Sequence, residues 1–301
     1  MTTDRLVTAL TVSALTDEIA SALERAGIPE PVSEAREIIA ALYDVPRFWP
    51  LLNGAVEVDV VTRSRADVAL GKRLLNAPLA YAVGRASFRH LTLDVDERVL
   101  IPRPETELLV DLVLEAVGAA AGGVAVDVGT GSGAIAIALG SEGRFSRVYG
   151  TDVSRDALAV AAHNVELCAT VLRAPVELLH GSLLGPVRDV PARVVVSNPP
   201  YIALGEAATL PASVRDWEPA VALYSGSDGM SATARLVRQA ADVLAPGGLL
   251  AFEVDARRAS LAAELVSRER RFDDVRVELD LTGRERFVLA RRRGSLERKG
   301  G

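Results

Sequence analysis

The sequence predicts an α/β fold: a parallel sheet with helices on both faces, closed by a C-terminal antiparallel hairpin and preceded by a small helical domain. Three observations predict it. From Gly122 to Glu253, short apolar runs alternate with helical patterns, which is typical of a parallel sheet connected by helices. The last two apolar runs are separated by a short polar turn, so they should pair as a hairpin. Residues 1–80, in contrast, carry apolar side chains at helical spacing.

Residues 1–80 are predicted to form the helical domain. A first helix should end near Gly27, a second should begin near Ser33, and a third should cover Val61–Leu75. The side chains expected in its core are Leu15, Ile19, Leu23, Ile38, Ile39 and Leu42. The stretch contains no catalytic or metal-binding pattern. We therefore interpret it as a domain that docks a partner protein, with a purely structural cap as the alternative.

Residues 81–103 are predicted to link the two domains through a β-hairpin. Between residues 86 and 100 the apolar side chains change to a spacing of two, as expected for strands. The segment Ile101–Glu107 then begins a helix, because Pro104 suits the first helical position and the two glutamates after it favour the positive end of the helix. The side chains that this helix should bury are Leu108, Leu109 and Leu112.

The second domain is predicted to span residues 104–293 and to contain seven strands. In chain order they are Val124–Val128, Val148–Asp152, Val176–Leu179, Val194–Ser197, Leu249–Glu253, Val275–Leu279 and Phe287–Ala290. The last two form the predicted hairpin. Residues 294–301 include Arg298 and Lys299 and are expected to be a disordered tail.

Composition and charge exclude several classes of protein. A net charge of −6 argues against tight binding of nucleic acid phosphates, which needs a strongly basic face. Asp4 and Arg5 interrupt the early apolar residues, so no secretory signal is expected, and no run of about 18 apolar residues could cross a membrane. One cysteine and three scattered histidines predict neither a disulfide nor a metal site. We expect a cytoplasmic monomer that binds no membrane and no nucleic acid stably.

A glycine-rich turn joins the first predicted strand of the sheet to a helix. Its glycines fall at positions 129, 131 and 133, whereas the dinucleotide fingerprint is G-x-G-x-x-G. Glycines there allow a close approach of the backbone to a ligand at the positive end of the helix, and Asp127 could pair with an ammonium group. S-adenosylmethionine is a ligand of this kind. The residues that we expect to hold it are Asp127, Gly129, Thr130, Gly131 and Gly133.

Asp152 ends the second strand of the sheet, about twenty residues after the glycine turn. A carboxylate at this distance can accept hydrogen bonds from both ribose hydroxyls, as in the dinucleotide folds. The alternative is an N-cap for the helix that starts near Ser154. Because Asp152 coincides with the glycine turn at the expected spacing, we favour the ribose role.

The four residues Asn198–Tyr201, Asn-Pro-Pro-Tyr, follow another predicted strand. The two prolines remove two backbone donors and restrict φ, so the chain leaves the sheet in one rigid shape. Asn198 presents a carboxamide beside backbone carbonyls, and Tyr201 adds an aromatic ring. This arrangement can accept hydrogen bonds from a planar NH2 group and stack on it, which suits an amide or an exocyclic base amine. A proline-stiffened loop with a capping asparagine is the alternative.

Taken together, these features resemble the class I methyltransferase fold and, more closely, the release factor glutamine methyltransferase family, over nearly the whole chain. The motifs that carry the resemblance are Pro78–Tyr81 with Gly84, Ile101–Glu107, the glycine turn, Asn198–Tyr201, Trp217–Pro219 and Asp228–Gly229. The segment Ile101–Glu107 is the specific one, because Asn-Pro-Pro-Tyr also occurs in DNA adenine and RNA guanine amino methyltransferases. The resemblance implies a Rossmann-like sheet and methyl transfer from S-adenosylmethionine to N5 of a glutamine.

The resemblance also implies the acceptor and the residues that hold it. The acceptor would be the Gly-Gly-Gln loop of a peptide chain release factor. The catalytic residues would be Asn198, Pro199 and Tyr201, where Asn198 and the Pro199 carbonyl hold the acceptor amide. Pro200 would line the acceptor site, and Arg103 and Glu105 would lie near its mouth, or else clamp the start of a helix. Glu218 and Pro219 would line the region over the acceptor.

On the cofactor side, the resemblance assigns Gly129, Gly131 and Asp152 to S-adenosylmethionine, with Asn198 also close to it. Ser182 stands where many methyltransferases have an acidic residue for the adenine amine, and it can still make a hydrogen bond. The segment after Glu253 departs from the family, because it lacks the usual glycine. Two alternatives stay open: a nucleic acid amino methyltransferase that holds a flipped base, and a non-catalytic module with the same fold.

Overall fold

The computed structural model describes residues 9–294, which separate into two compact units. The first comprises residues 9–85 with 212–217, and the second comprises residues 86–211 with 218–294. The helices are α1 (Val12–Arg25), α2 (Pro31–Tyr43), α3 (Trp49–Leu52), α4 (Val60–Leu74), α5 (Leu79–Val83), α6 (Pro104–Val117), α7 (Ala134–Glu142), α8 (Arg155–Leu167), α9 (Ala212–Arg215), α10 (Ala220–Leu223), α11 (Ser231–Val243) and α12 (Ala259–Arg268). The strands are β1 (Arg85–Phe88), β2 (Leu91–Asp94), β3 (Val124–Val128), β4 (Arg147–Asp152), β5 (Val176–His180), β6 (Ala192–Ser197), β7 (Leu244–Glu253), β8 (Phe272–Leu279) and β9 (Glu285–Arg292).

The first unit is helical, as the spacing of its apolar residues predicts. The threonine hydroxyl of Thr11 accepts a hydrogen bond from the first turn of α1, and the Asp59 carboxylate does the same for α4, so both helices begin at capping residues. The predicted core is confirmed, since all of its members are buried: Leu15, Ile19, Leu23, Ile38, Ile39 and Leu42. Burial of this apolar face stabilises helices that are individually short.

The second unit is built on a seven-stranded sheet whose order is β5-β4-β3-β6-β7-β9-β8. Strands β3 to β7 are parallel, whereas β9 runs antiparallel to β7 and β8 antiparallel to β9. The predicted α/β sheet with a C-terminal hairpin is therefore confirmed. From β3 the chain proceeds outward through β4 and β5, then returns to β6 on the other side of β3. Ligands of open parallel sheets bind at the carboxyl ends of the strands beside such a switch point.

Two apolar cores lie against the two faces of this sheet. Val194 and Val196 pack with residues of α6 and α7, whereas Val195 packs with residues of α11 and α12. Successive side chains of a strand point to opposite faces, so an uninterrupted apolar strand such as β6 contributes to both cores. Within α6, Leu109 is fully buried as predicted, while the predicted neighbours Leu108 and Leu112 are half-buried.

The predicted linking hairpin is shorter than its pattern suggests. Strand β2 ends at Asp94, so the expectation of strand structure up to residue 100 is wrong. Val95 and Val99 are buried without belonging to a strand, because the backbone turns at Asp96, whose side chain accepts from the Arg98 N–H. The buried apolar residues of this turn therefore continue the spacing of two that predicts a strand, although no strand is present there. The predicted tail lies outside the described residues from position 295 onward.

Strand β8 forms one edge of the sheet and is irregular. Its register against β9 shifts between Asp273 and Arg276, and Asp274 has a positive φ of 48°. Extra residues in one strand of an antiparallel pair bend it and increase its twist. The edge of the sheet is therefore bulged near the start of β8.

Candidate functional site

The glycine turn lies at the carboxyl end of β3, between the strand and α7. All three of its glycines have positive φ values, from 54° to 85°, a region that other residues enter only with strain. The backbone N–H groups of Gly129 and Thr130 both donate to the Thr151 carbonyl of β4, at 2.8 and 3.0 Å. The turn is thereby tied to the neighbouring strand, and its backbone stands at the N-terminus of a helix, where anionic groups are favoured.

Asp127 lies beneath this turn and is fully buried. Its Oδ2 accepts from the Thr130 hydroxyl at 2.6 Å and from the Ala136 N–H at 3.1 Å, whereas its Oδ1 has no partner among the described residues. Burial raises the pKa of Asp127 to about 7, although the two hydrogen bonds oppose this rise; the charge of Asp152 adds to it. Asp127 therefore braces the turn and leaves one acceptor oxygen unused.

Asp127→Asn is expected to flatten the pH dependence of stability. Between the ordinary pKa of 3.8 and the folded value of about 7, the folded state holds a proton that the unfolded state has lost. The free energy of unfolding due to this group therefore falls as pH rises through that window, by up to about 1.4 kcal/mol per pH unit. Asparagine does not titrate. Urea unfolding from about pH 5 to about pH 8 measures the free energy of unfolding of both proteins. The difference in favour of the wild type should shrink as pH rises to about 7. A difference that does not change with pH would contradict the raised pKa of Asp127.

Asp152 ends β4, and its carboxylate makes two local hydrogen bonds. Oδ2 accepts from the Gly131 N–H at 3.0 Å and Oδ1 from the Ser154 N–H at 2.8 Å. The N-cap of α8 is instead Ser154, whose hydroxyl accepts from the Ala157 N–H at 3.1 Å. The alternative of Asp152 as that N-cap is therefore wrong. Each carboxylate oxygen can accept a further hydrogen bond, because it has two lone pairs.

Asn198 follows β6, directly across the switch point from the glycine turn. Register pairs Val128 with Ser197, so the glycine turn and the Asn-Pro-Pro-Tyr segment leave adjacent strands at the same level. The chain then returns to this edge, since the Ile202 N–H donates to Leu223 and the Ser225 N–H donates to Ile202, at 3.0 and 2.9 Å. The loop after β6 is thus held beside the end of the sheet.

A chain of hydrogen bonds runs behind Asn198. Its Nδ2 donates to the Thr106 hydroxyl at 3.0 Å, and that hydroxyl donates to Glu253 Oε2 at 2.6 Å. The Tyr201 hydroxyl donates to the other oxygen of Glu253 at 3.3 Å. Burial raises the pKa of Glu253 and of Tyr201, and the nearby Glu253 carboxylate raises that of Tyr201 further. The polar side chains at the end of β6 and β7 therefore form one connected group.

Arg103 and Glu218, which come from two separate sequence motifs, form an ion pair. The guanidinium Nη2 of Arg103 lies 2.6 Å from Glu218 Oε1 and 2.7 Å from Oε2, and the Glu218 side chain is 1% exposed. Burial raises the pKa of Glu218, and the charge of Arg103 opposes this. The ion pair therefore connects the start of α6 to the segment that leads into α10. Glu105 is exposed in the first turn of α6.

A cavity of about 390 Å³ opens at this edge of the sheet. The predicted site residues that line it are Gly129, Gly131, Asp152, Ser182, Asn198, Pro200 and Pro219. Those that do not line it are Arg103, Glu105, Asp127, Thr130, Gly133, Pro199, Tyr201 and Glu218. Its size falls in the range typical of small-molecule sites. The structure therefore places residues predicted for the cofactor and for the acceptor around one cavity.

Sequence reasoning missed several residues of this cavity. They include Arg98, Val99, Leu100, Tyr224, Ser225 and Arg235. Position next to a motif could have indicated two of them, since Val99 and Leu100 directly precede the Ile101–Glu107 segment. Arg235 donates to the Ser182 hydroxyl at 3.0 Å and comes from α11, so no local signal marks it.

The donor and acceptor set of the cavity fits S-adenosylmethionine. The glycine turn offers backbone at a helix N-terminus, and Asp152 offers carboxylate oxygens suited to ribose hydroxyls. Asp127 does not line the cavity but lies beneath the turn, where its Oδ1 is an acceptor without a partner among the described residues. Within residues 9–294, no three or more His, Cys, Asp or Glu side chains are grouped to hold a metal ion. Over the same residues, no helix is long and apolar enough to cross a membrane.

Two family models and several solved structures are similar to this chain. The family model described as methyltransferase small domain matches residues 105–212, and that described as PrmC N-terminal domain matches residues 14–84. A crystal structure of a methyltransferase from Pyrococcus furiosus aligns with a TM-score of 0.51 at 18% identity, covering 77% of this chain and 99% of that one. The hMettl16 catalytic domain aligns with a TM-score of 0.55 at 16% identity, covering 85% and 92%.

The fold and the matched domain define an S-adenosylmethionine-dependent methyltransferase of class I. A release factor glutamine methyltransferase from Deinococcus radiodurans is 39% identical over 273 residues, which are 90% of this chain and 95% of that relative. Another from Streptomyces coelicolor is 37% identical over 91% of this chain and 97% of its own length. The chain belongs to the release factor glutamine methyltransferase family.

Proposed function

We propose that this chain transfers a methyl group from S-adenosylmethionine to the side-chain N5 of a glutamine in the Gly-Gly-Gln loop of a peptide chain release factor. The observation that carries the proposal is the position of Asn198, which lines the same cavity as the glycine turn and Asp152. The relatives that match nearly the whole chain are named for this activity. Donor and acceptor would therefore meet at the switch point of the sheet.

On this proposal, the first half of the sheet holds the cofactor. Asp152 accepts from the ribose hydroxyls, while the backbone of Gly129 and Gly131 lies against the ligand. Ser182, held by Arg235, faces the adenine end and offers a hydroxyl in place of a carboxylate. Asp127 acts from beneath the turn, where its free Oδ1 is suited to the ammonium group of the ligand.

The second half of the sheet would hold the acceptor amide. The Asn198 Oδ1 and the Pro199 carbonyl each accept a hydrogen bond from its NH2 group, which aligns the nitrogen with the methyl carbon. Pro200 lines the cavity and limits where the amide can lie, and Tyr201, held by Glu253, stiffens the loop behind it. Orientation of this kind contributes several kcal/mol to catalysis.

When bound, S-adenosylmethionine would supply a methyl group on a sulfonium sulfur, and that sulfur would leave as a neutral thioether. An amide nitrogen is a poor nucleophile, because its lone pair is delocalised into the carbonyl. Two acceptors placed at its N–H groups stabilise the positive charge that develops as the new N–C bond forms. The nitrogen then loses one of these protons to solvent, so no side chain has to act as a strong base.

The helical unit is proposed to dock the release factor. Ten of the eighteen large hydrophobic side chains that are exposed in the described residues belong to its first 85 positions; the most exposed of them are Phe48, Leu52, Val60, Val61 and Leu75. Contiguous exposed apolar side chains are typical of protein-binding surfaces, and several of these are neighbours in sequence, such as Leu51 with Leu52 and Val60 with Val61. We further propose that the chain acts as a monomer in the cytoplasm and binds no nucleic acid stably.

Mass spectrometry of a purified release factor after incubation with the chain and S-adenosylmethionine tests the proposal. A gain of one methyl group on the glutamine of the Gly-Gly-Gln loop is expected. A short peptide of the same loop should be methylated with a much higher KM than the whole factor, since it lacks the surface that docks on the helical unit. Equal KM values for factor and peptide would rule out docking.

The matched control for the acceptor is a release factor whose loop glutamine is replaced by alanine, which should gain no methyl group. Total RNA and genomic DNA are incubated in parallel with labelled cofactor. Label that enters nucleic acid instead of the release factor would overturn the proposal in favour of an amino methyltransferase that acts on bases. Cofactor binding without transfer to any of these would favour a non-catalytic module.

A further inference from the structure

Thr106 and Glu253 form a buried, hydrogen-bonded pair behind Asn198, on the side away from the cavity. Thr106 is 4% exposed and Glu253 is 2% exposed. Thr106 lies in the first turn of α6, and Glu253 is the last residue of β7. Register pairs Ser197 with Phe252, so Asn198, directly after β6, and Glu253, the last residue of β7, follow neighbouring positions of the sheet. Three elements therefore bring these side chains together.

The donors and acceptors of this group permit one arrangement when Glu253 is ionised. The hydrogen bonds from Thr106 and Tyr201 and the charge of Arg286 favour this ionised state against the burial of the carboxylate. A carboxylate only accepts, so the 2.6 Å contact uses the single hydroxyl hydrogen of Thr106. The Thr106 oxygen can then only accept, and the group that faces it at 3.0 Å must be the NH2 of Asn198. The reversed carboxamide would place its oxygen against the threonine oxygen with no proton between them.

This arrangement fixes what Asn198 offers to the cavity. Because its Nδ2 is directed at Thr106, its Oδ1 is left to accept a hydrogen bond from the substrate group that would receive the methyl group in the cavity that Asn198 lines. An unrestrained asparagine could present either its NH2 or its oxygen there. Only the oxygen can accept a hydrogen bond from an amide NH2 group. The orientation of one carboxamide thus decides whether the cavity favours an amide nitrogen.

We propose that Thr106 and Glu253 are positioning residues that hold the Asn198 carboxamide with Oδ1 toward the cavity and so specify an NH2 group as the acceptor. The proposal rests on the proposed function. Thr106 does not act as a helix cap, because α6 has no side-chain cap hydrogen bond at its N-terminus. Its hydroxyl is committed to Glu253 and Asn198, which come from two different strand ends.

Three substitutions test the pair by steady-state kinetics. Thr106→Val keeps the shape and removes the hydroxyl, and Glu253→Gln lets an NH2 group face Thr106, which frees the threonine to donate toward Asn198. Both are expected to lower kcat about 10- to 100-fold, the equivalent of one hydrogen bond to a charged group, with the S-adenosylmethionine Kd unchanged. Thr106→Ser retains the hydroxyl and should restore kcat to within about threefold of the wild type.

Thr233→Val is the matched control. Thr233 is also fully buried, but its hydroxyl has no partner among the described residues and it does not line the cavity. This variant should keep the kcat of the wild type. If Thr106→Val keeps kcat within about twofold while its melting temperature falls as for any core change, the pair is structural and the proposal is overturned.

A failure of the proposed function is recognised separately, because the wild type then methylates no glutamine. The positioning is in that case measured without activity, from the side-chain ¹H–¹⁵N signals of Asn198 in labelled protein. One NH2 proton bonded to Thr106 should exchange with solvent more slowly than the other in the wild type and in Thr106→Ser. Loss of that difference in Thr106→Val supports the proposal, and signals unchanged by Thr106→Val contradict it.

Discussion

Asn198→Ala is expected to abolish methylation of the release factor, with kcat reduced by about 10²–10³-fold or more. Alanine removes the oxygen that would accept from the acceptor amide, and with it the alignment of the nitrogen toward the methyl carbon. It also leaves the Thr106 hydroxyl without the donor that contacts it at 3.0 Å. Initial rates at saturating release factor and cofactor, measured with a labelled methyl group, give kcat directly.

Cofactor binding is the internal control for this substitution. Calorimetry should give a Kd for S-adenosylmethionine within about threefold of the wild type, a difference of less than about 1 kcal/mol. The reason is that the proposed ribose and ammonium contacts come from the other half of the sheet. A near-normal kcat in this variant would contradict the proposal that Asn198 holds the acceptor amide. A variant that loses both activity and cofactor binding would show that Asn198 holds the cofactor rather than the acceptor.

Asp152→Ala should weaken binding of S-adenosylmethionine about 100-fold. Two hydrogen bonds from ribose hydroxyls to a carboxylate would be lost, and such bonds contribute about 1.5–3 kcal/mol each where they are fully made. The same carboxylate accepts from the Gly131 N–H at 3.0 Å, so the glycine turn would also lose a brace. Calorimetry measures the Kd, and the rise in melting temperature on adding cofactor should largely disappear.

Asp156→Ala is the matched control for that experiment. Asp156 is an exposed carboxylate four residues along the chain, in the first turn of α8, and it does not line the cavity. Its removal should leave the Kd unchanged, and the unliganded melting temperature of both variants reports whether they fold. An unchanged Kd in Asp152→Ala would mean that the ribose lies elsewhere, and the pocket would need to be reassigned.

Local patterns were sufficient to predict most of the fold. The five parallel strands and the terminal hairpin each carry their own apolar run, and the turns between them carry their own signals. The glycine turn and Asn198 could be placed at one site because the carboxyl ends of parallel strands share an edge. The sequence predicts a linking hairpin that is too long, because Val95 and Val99 are buried in a turn after β2 rather than in a strand.

Pairs that depend on packing between distant elements could not be predicted. Thr106 and Glu253 are separated by 147 positions, and their contact requires both the β6–β7 register and the packing of α6. Arg103 and Glu218 each belong to a recognised motif, yet only the path of the loop after β6 makes them an ion pair. Sequence identifies the chemical groups near the end of each strand, whereas tertiary packing decides which of them touch.

The bulged edge of the sheet has a consequence for how the protein behaves at high concentration. Strand β8 combines its register shift with charged side chains at positions 273, 274, 276 and 278. An extended chain that approached this edge would meet an interrupted row of backbone donors and acceptors and would have to desolvate those charges. We therefore see in β8 a built-in protection against the edge-to-edge aggregation to which an open sheet is otherwise prone.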